Sequence, residues 1–200
     1  MTPDGDGKLS PEGPGAETAD SYVYDPRNPV MSLYLPNGQD GPFDQSINAH
    51  RRDILVYQTA PLAQAIEVTG NPVLRLYASS DAIDTDFTVK LIDVYPDGKA
   101  INLCYGFQRA RFRNGLDEPI ELMTPGEIYE FELALLPTSN LFKAGHRIRI
   151  DISSSDYPNH DRNHNTGRED WQDAELSVAR QTVFHDAARP SRIILPVIKA

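Results

Sequence analysis

Hydrophobic and polar positions alternate most regularly in "HRIRIDIS", residues 146–153, where Ile148, Ile150 and Ile152 fall on one side and Arg147, Arg149 and Asp151 on the other. A two-residue period turns successive side chains to opposite faces of an extended chain, so this segment predicts a strand with one face on a core. "EIYEFELALLP", residues 127–137, repeats the pattern with Tyr129, Phe131, Leu133 and Leu135 inward and Glu130 and Glu132 outward. Residues 71–80, 86–98, 99–113 and 191–199 have strand composition with a less regular alternation. Between the second and third of these runs lies "YPDGK", where Pro96 presets φ and Gly98 accepts a positive φ. A tight hairpin turn is predicted there. "PGE" at 125–127 and "KAGHR" at 143–147 mark further turns. Only residues 168–184 have helical potential. There Leu176, Val178, Thr182 and Phe184 share parity, which predicts a short helical turn near Trp171 followed by a strand. About eight or nine short strands with regular turns and little helix describe an antiparallel β-sandwich.

The first 45 residues break this texture, being rich in Pro, Gly, Asp and Ser. Residues 1–20 are expected to form an irregular or mobile arm ahead of one domain spanning 21–200. A chain of 200 residues is long enough to bury a core without disulfide or metal. A lone cysteine, Cys104, excludes an internal disulfide. No apolar run approaches the roughly 20 residues that span a bilayer, and the N-terminal residues do not resemble a signal peptide. The expectation is a soluble, cytoplasmic protein without a membrane partner. With 29 Asp and Glu against 19 Lys and Arg, the formal charge is −10. That balance repels phosphates, so nucleic acid is not an expected partner. The one basic cluster, "RARFR", puts Arg109, Arg111 and Arg113 on one face if the strand continues, and a solvated or interface face is expected.

Candidate chemistry concentrates in "SSSDYPNHDRNHNTG", residues 153–167, which carries Asp156, His160, Asp161 and His164. His160 and His164 stand four apart, but Pro158, Asn159, Asn163, Asn165 and Gly167 disfavour the helix that would align them, and no H-E-x-x-H is present. The spacing does not suit a calcium loop either. No metal site and no cofactor are therefore expected. Short polar side chains that satisfy their own backbone make a structural or docking loop the better reading. No G-x-S-x-G nucleophile elbow occurs, and the serines of "ASS" (78–80) and "SSS" (153–155) sit at strand ends. A triad assembled from distant positions stays open, since triads are defined by geometry. Cys104 in "NLCYG" reads as a small buried hydrophobe. Trp171, Tyr157 and Tyr105 are candidates for stacking a sugar, so a free-standing carbohydrate- or ligand-binding sandwich is the alternative function.

Several segments then occur in a telling order: "YVYDPRNPV" (22–30), "GPFDQ" (41–45), residues 53–113 with "SSDAIDTDFTVKLIDVYPDGKAINLC", residues 125–167, and "ARQTVFHD" (179–186). Together they resemble the C-terminal domain of the X-Pro dipeptidyl-peptidase and cocaine esterase (CocE/NonD) type hydrolases. That family also takes in glutaryl-7-aminocephalosporanic acid acylases and α-amino acid ester hydrolases. The resemblance implies a jelly-roll sandwich related to galactose-binding domains. It also implies a partner, an α/β-hydrolase catalytic domain that carries the Ser–Asp–His triad, in the same polypeptide or a separate chain. No triad position falls within these residues, so no catalytic residue is assigned. The parent would hydrolyse peptide, amide or ester bonds. Self-association into a homo-oligomer is a further possibility for a sandwich with an exposed docking face. The family's first jelly-roll strand would lie ahead of the matching segment, so a piece of a longer polypeptide, or an arm taking over that edge, is expected. Tyr105 stands where the family pattern has aspartate. Asp156, Tyr157, Asp161 and Arg162 are the interface candidates, with Asp156, Asp161 and Arg162 expected to fix the loop by hydrogen bonds.

Overall fold

The structure is a computed structural model that describes residues 7–33, 41–169 and 171–199. Residues 1–6 of the expected arm and 34–40 of the irregular N-terminal stretch lie outside the described residues. Runs of β-branched and aromatic residues, each closed by turn formers, become the strands β1 (Gly7–Lys8), β2 (Asp20–Tyr24), β3 (Leu55–Gln58), β4 (Ile66–Gly70), β5 (Val73–Ser80), β6 (Asp86–Val94), β7 (Ala100–Arg109), β8 (Tyr129–Ala134), β9 (Thr138–Phe142), β10 (Arg147–Ser153), β11 (Ala179–Phe184) and β12 (Arg192–Ile194). One sheet has the order β1-β3-β10-β6-β7, and a second runs β12-β5-β11-β2 with β8 on the far side of β5. A small β4-β9 ribbon completes the set. Every pairing is antiparallel except β1 on β3.

The core lies between the two large sheets. Phe87, Val89 and Leu91 of β6 and Ile148, Ile150 and Ile152 of β10 meet Leu74, Leu76, Phe131, Leu133 and Val183 from the opposing layer. The Phe87 and Phe131 rings stand 4.8 Å apart in a tilted contact. Each such side chain contributes about 1.5–3 kcal/mol when taken fully out of water. β8 follows its predicted alternation, with Phe131 and Leu133 buried and Glu130 and Glu132 exposed. The β6–β7 hairpin also forms as predicted: Gly98 sits at φ 92°, and its N–H donates to the Tyr95 carbonyl at 2.9 Å.

Three expectations are corrected. First, β10 has no solvent face, because Arg149 and Asp151 are buried and pair with each other at 2.6 and 2.9 Å. Chain crosses that side of the sheet, where Val30, Ile54 and Val56 make a second small apolar cluster and Gln45 and Asp156 reach Lys90 of β6. Second, β7 ends at Arg109 and the chain turns into a 3-10 helix over Ala110–Phe112, so the three arginines do not share a strand face. Third, the strand after Trp171 faces the core through Ala179, Gln181 and Val183, opposite in parity to Leu176, Val178, Thr182 and Phe184. Near Trp171 there is a turn, closed by Gln172 N–H donating to the Glu169 carbonyl.

Within the stretch expected to be an arm, Gly7 and Lys8 pair with Tyr57 and Gln58 at the sheet edge. Leu9 packs against the core, and Ala187 N–H donates to the Gly15 carbonyl.

Candidate functional site

β5, β7 and β10 finish at one end of the sandwich, where β6 and β11 begin. The connections that meet there, called the loop end below, hold a cluster of buried charges. Its geometry starts with the hairpin register, which sets Asp86 opposite Arg109. The Arg109 guanidinium donates to both carboxylate oxygens of Asp86, at 2.9 and 3.0 Å, and to Asp161 at 3.1 Å. Two residues further out, Asp84 accepts from Arg111 twice, from its Nε at 2.8 Å and its backbone N–H at 3.0 Å. Arg111 also reaches the Arg168 carbonyl at 2.7 Å.

Asn163 joins the two halves. Its Nδ2 donates to Asp84 at 2.8 Å and to Asp86 at 2.9 Å, while its Oδ1 accepts the Asn165 N–H at 2.8 Å. The Tyr24 hydroxyl donates to its carbonyl. Burial pushes the Asp86 carboxyl up to about 7, against the opposite pull of Arg109 and Asn163, with Asp84 pushing further up. Desolvating two carboxylates and two guanidiniums costs several kcal/mol per ion, and pairing roughly offsets that cost. What the cluster yields is position: four separate stretches of chain, at Tyr24, 84–86, 109–111 and 161–168, are held by geometry-specific bonds in a low-dielectric setting. It presents no free nucleophile.

Asp156 of the candidate loop is 3% exposed, with its carboxylate on Lys90 at 2.8 Å and Asn159 at 3.1 Å. Its side chain is an inward strut between the loop and β6. Arg162 donates to the Pro26 carbonyl and lies over the Tyr157 ring. Tyr157 bridges to Met31, and Asp161 points outward beyond its bond to Arg109. Each of Asp156, Asp161 and Arg162 thus makes the fixed bond expected of it. His160 stacks on Phe107 at 4.1 Å with the Tyr105 ring edge-on, and burial lowers its pKa. Among the described residues no group of three or more His, Cys, Asp or Glu is arranged to hold a metal.

Ser154 and Ser155 use their hydroxyls on Tyr22 and the Val30 N–H. Cys104 is buried, and burial pushes its thiol up to about 11. Trp171 is exposed on the 167–178 connection. Sequence reasoning missed Asp84, Asp86 and Asn163. For the two aspartates the available signal was a D-x-D at 84–86 to set against the R-x-R at 109–111, but only a register shift in the hairpin brings the two motifs face to face; Asn163 had no such signal.

Residues 1–194 match the family model of the X-Pro dipeptidyl-peptidase C-terminal non-catalytic domain. The chain belongs to that family. The cocaine esterase of Rhodococcus sp. (strain MB1 Bresler) is 47% identical over 206 residues, which cover 99% of this chain and 35% of the esterase. An aminopeptidase from the marine sediment archaeon Thaumarchaeota archaeon superposes with a TM-score of 0.88 at 33% identity, over 97% of this chain and 35% of its own. An α-amino acid ester hydrolase superposes at 0.85 with 29% identity, over 96% and 35% respectively. The C-terminal domain described here therefore spans about a third of the length of these relatives. It is the non-catalytic C-terminal domain of such hydrolases. Among the described residues no helix is long and apolar enough to cross a membrane.

Proposed function

We propose that this domain braces an α/β-hydrolase catalytic region, carried in the same polypeptide or a separate chain, and fixes the shape of that region's substrate pocket. The observation that carries the reading is the buried cluster of Asp84, Asp86, Arg109, Arg111 and Asn163, which holds surface loops rigid without offering chemistry of its own. Rigid loops lose little entropy on docking, so more of the contact free energy survives as affinity. The enzyme so assembled hydrolyses ester, amide or peptide bonds by acyl transfer. A serine in the catalytic region attacks, a histidine takes its proton, an oxyanion hole holds the intermediate, and water releases the acid. Tyr157, Asp161 and Arg162 remain the interface candidates of the 155–167 loop. A cytoplasmic location and self-association of the separate domain belong to the same reading; fractionation and sedimentation check them.

Two experiments test it. The purified 200-residue chain is treated with a fluorophosphonate probe and p-nitrophenyl acetate; no serine is labelled and no acetate is released above background. Labelling at one serine overturns the assignment. Grafted in place of the C-terminal domain of the Rhodococcus cocaine esterase, the chain restores esterase activity and thermal half-life that the truncated esterase lacks. A graft no better than the truncation argues against a bracing role.

A further inference from the structure

Two asparagines of the chain precede a glycine, Asn37 and Asn114. Asn37 and Gly38 lie outside the described residues, whereas Asn114 and Gly115 sit on the long connection from β7 to β8. Such a pair carries its own chemistry. The backbone nitrogen of the following residue can reach the asparagine side-chain carbonyl carbon and close a five-membered ring. Glycine alone leaves that nitrogen unshielded by a Cβ and gives the backbone the freedom that ring closure demands. The other described asparagines precede proline, lie in strands or are buried, except Asn159, which precedes the bulky His160.

Local structure leaves the pair open to this reaction. The chain leaves the 3-10 helix at Ala110–Phe112 through Arg113, and Gly115 takes a φ of 125°, a value that side-chain-bearing residues rarely adopt. Asn114 and Gly115 are both exposed, so water reaches them. One backbone bond restrains the nucleophile, from Gly115 N–H to the Phe112 carbonyl at 3.0 Å. One side-chain bond restrains the electrophile, from Asn114 Nδ2 to Glu121 Oε2 at 2.8 Å. Exposed bonds in a surface loop open far more often than the core does.

Glu121 also gathers the rest of this loop. Its carboxylate pairs with Arg113 at 3.1 Å, its carbonyl accepts from the same guanidinium, and its N–H reaches the Arg111 carbonyl at 3.3 Å. A carboxylate at position 114 cannot donate to Glu121 and meets it as a like charge. We propose that Asn114–Gly115 is a self-modification site, and that its conversion loosens the loop over residues 113–121.

In the first step the Gly115 nitrogen gives up its proton and bonds to the Asn114 side-chain carbonyl carbon. The bond from that carbon to Nδ2 breaks, and the amide nitrogen leaves with the proton as ammonia. Water then opens one of the two C–N bonds of the cyclic imide. Opening on the side-chain carbonyl gives aspartate, and opening on the main-chain carbonyl gives isoaspartate. Water is the only co-reactant, and either product adds one negative charge to a chain of formal charge −10.

The purified 200-residue chain is held at mildly alkaline pH, digested and mapped by mass spectrometry, with isoaspartate read by methyltransferase labelling. The Asn114 peptide converts from amide to acid, and Gly115→Ala slows the conversion severalfold. Asn114→Gln keeps the amide but would need a six-membered ring, so it suppresses conversion even if the alanine variant, strained at that φ, does not fold. No conversion at Asn114, conversion at Asn37 alone, or an undiminished rate in a folded variant overturns the site. Asn114→Asp, which installs the product, raises hydrogen exchange severalfold over residues 113–121 and leaves the β10 peptides unchanged. Exchange over 113–121 that matches the parent refutes the loosening.

Discussion

Replacing Asp84 by alanine strips the outer half of the loop-end cluster of its buried anion. Asp84 is 0% exposed and accepts three bonds, from Arg111 Nε, from the Arg111 backbone N–H and from Asn163 Nδ2, at 2.8–3.0 Å. Arg111, 5% exposed, keeps the Arg168 carbonyl and a long contact to the exposed Glu169, so its charge stays buried with weak compensation. Removing one partner of a buried pair costs about 3–5 kcal/mol. The stranded N–H and amide place this site at the upper end of that range. At about 2–4 °C per kcal/mol for a domain of this size, Tm drops by roughly 10–20 °C. Arg111→Met, which leaves Asp84 with the backbone N–H of residue 111 and the Asn163 amide but no cation, also costs about 3–5 kcal/mol. The double variant Asp84→Ala with Arg111→Met removes both charges and falls at least about 2 kcal/mol short of the summed single effects. Urea unfolding followed by far-UV circular dichroism, with the slope checked for constancy, gives all four stabilities. A loss below about 1 kcal/mol for Asp84→Ala, or additivity within about 0.5 kcal/mol, refutes the claim that these charges are desolvated and mutually dependent.

Three further outcomes follow from other parts of the fold. The Cys104 thiol, raised from 9.0 to about 11 by burial, stays protonated in the folded state. Its contribution to stability is complete below pH 9 and is lost as pH rises through 11, so Cys104→Ala is less sensitive than the parent across that window; equal alkaline denaturation curves would contradict this. A Cβ at Gly106 would lie 2.9 Å from the Ala134 carbonyl oxygen, which is backbone and cannot step aside, so Gly106→Ala costs about 1–3 kcal/mol by thermal unfolding. His185 sits between Glu17 (3.1 Å) and Asp20 (2.9 Å), edge-on to Tyr57, and fastens the 9–19 segment; His185→Ala speeds limited proteolysis there severalfold while the rest of the domain stays intact.

How far the sequence discloses this arrangement depends on which side of each strand is asked about. Positions facing the sandwich interior obey a two-residue period, so the inward sides of β8 and β10 are legible from Phe131, Leu133, Ile148, Ile150 and Ile152 alone. The outer side of β10 is not legible in that way. Arg149 and Asp151 look like solvent residues until chain distant in sequence covers them, and a tertiary cover leaves no period in the strand it covers. The charge cluster shows the same limit more sharply. The turn at Pro96–Gly98 is plain from the residues, and an even ladder folded back from it sets Arg109 opposite Thr85, on the other face from Asp84 and Asp86. The register shift between Leu91 and Ile92 adds one residue to β7, and only then do Asp86 and Arg109 face each other with Asp84 and Arg111 beyond them. A single bulge thus decides whether "RARFR" is a basic stripe on the surface or the buried counter-charge of two aspartates. Bulges carry little sequence signature when no glycine marks them, and Leu103, the residue without a partner here, is an ordinary strand former. In this domain one bulge therefore both buries the two arginines against Asp84 and Asp86 and ties the loop end together through their bonds.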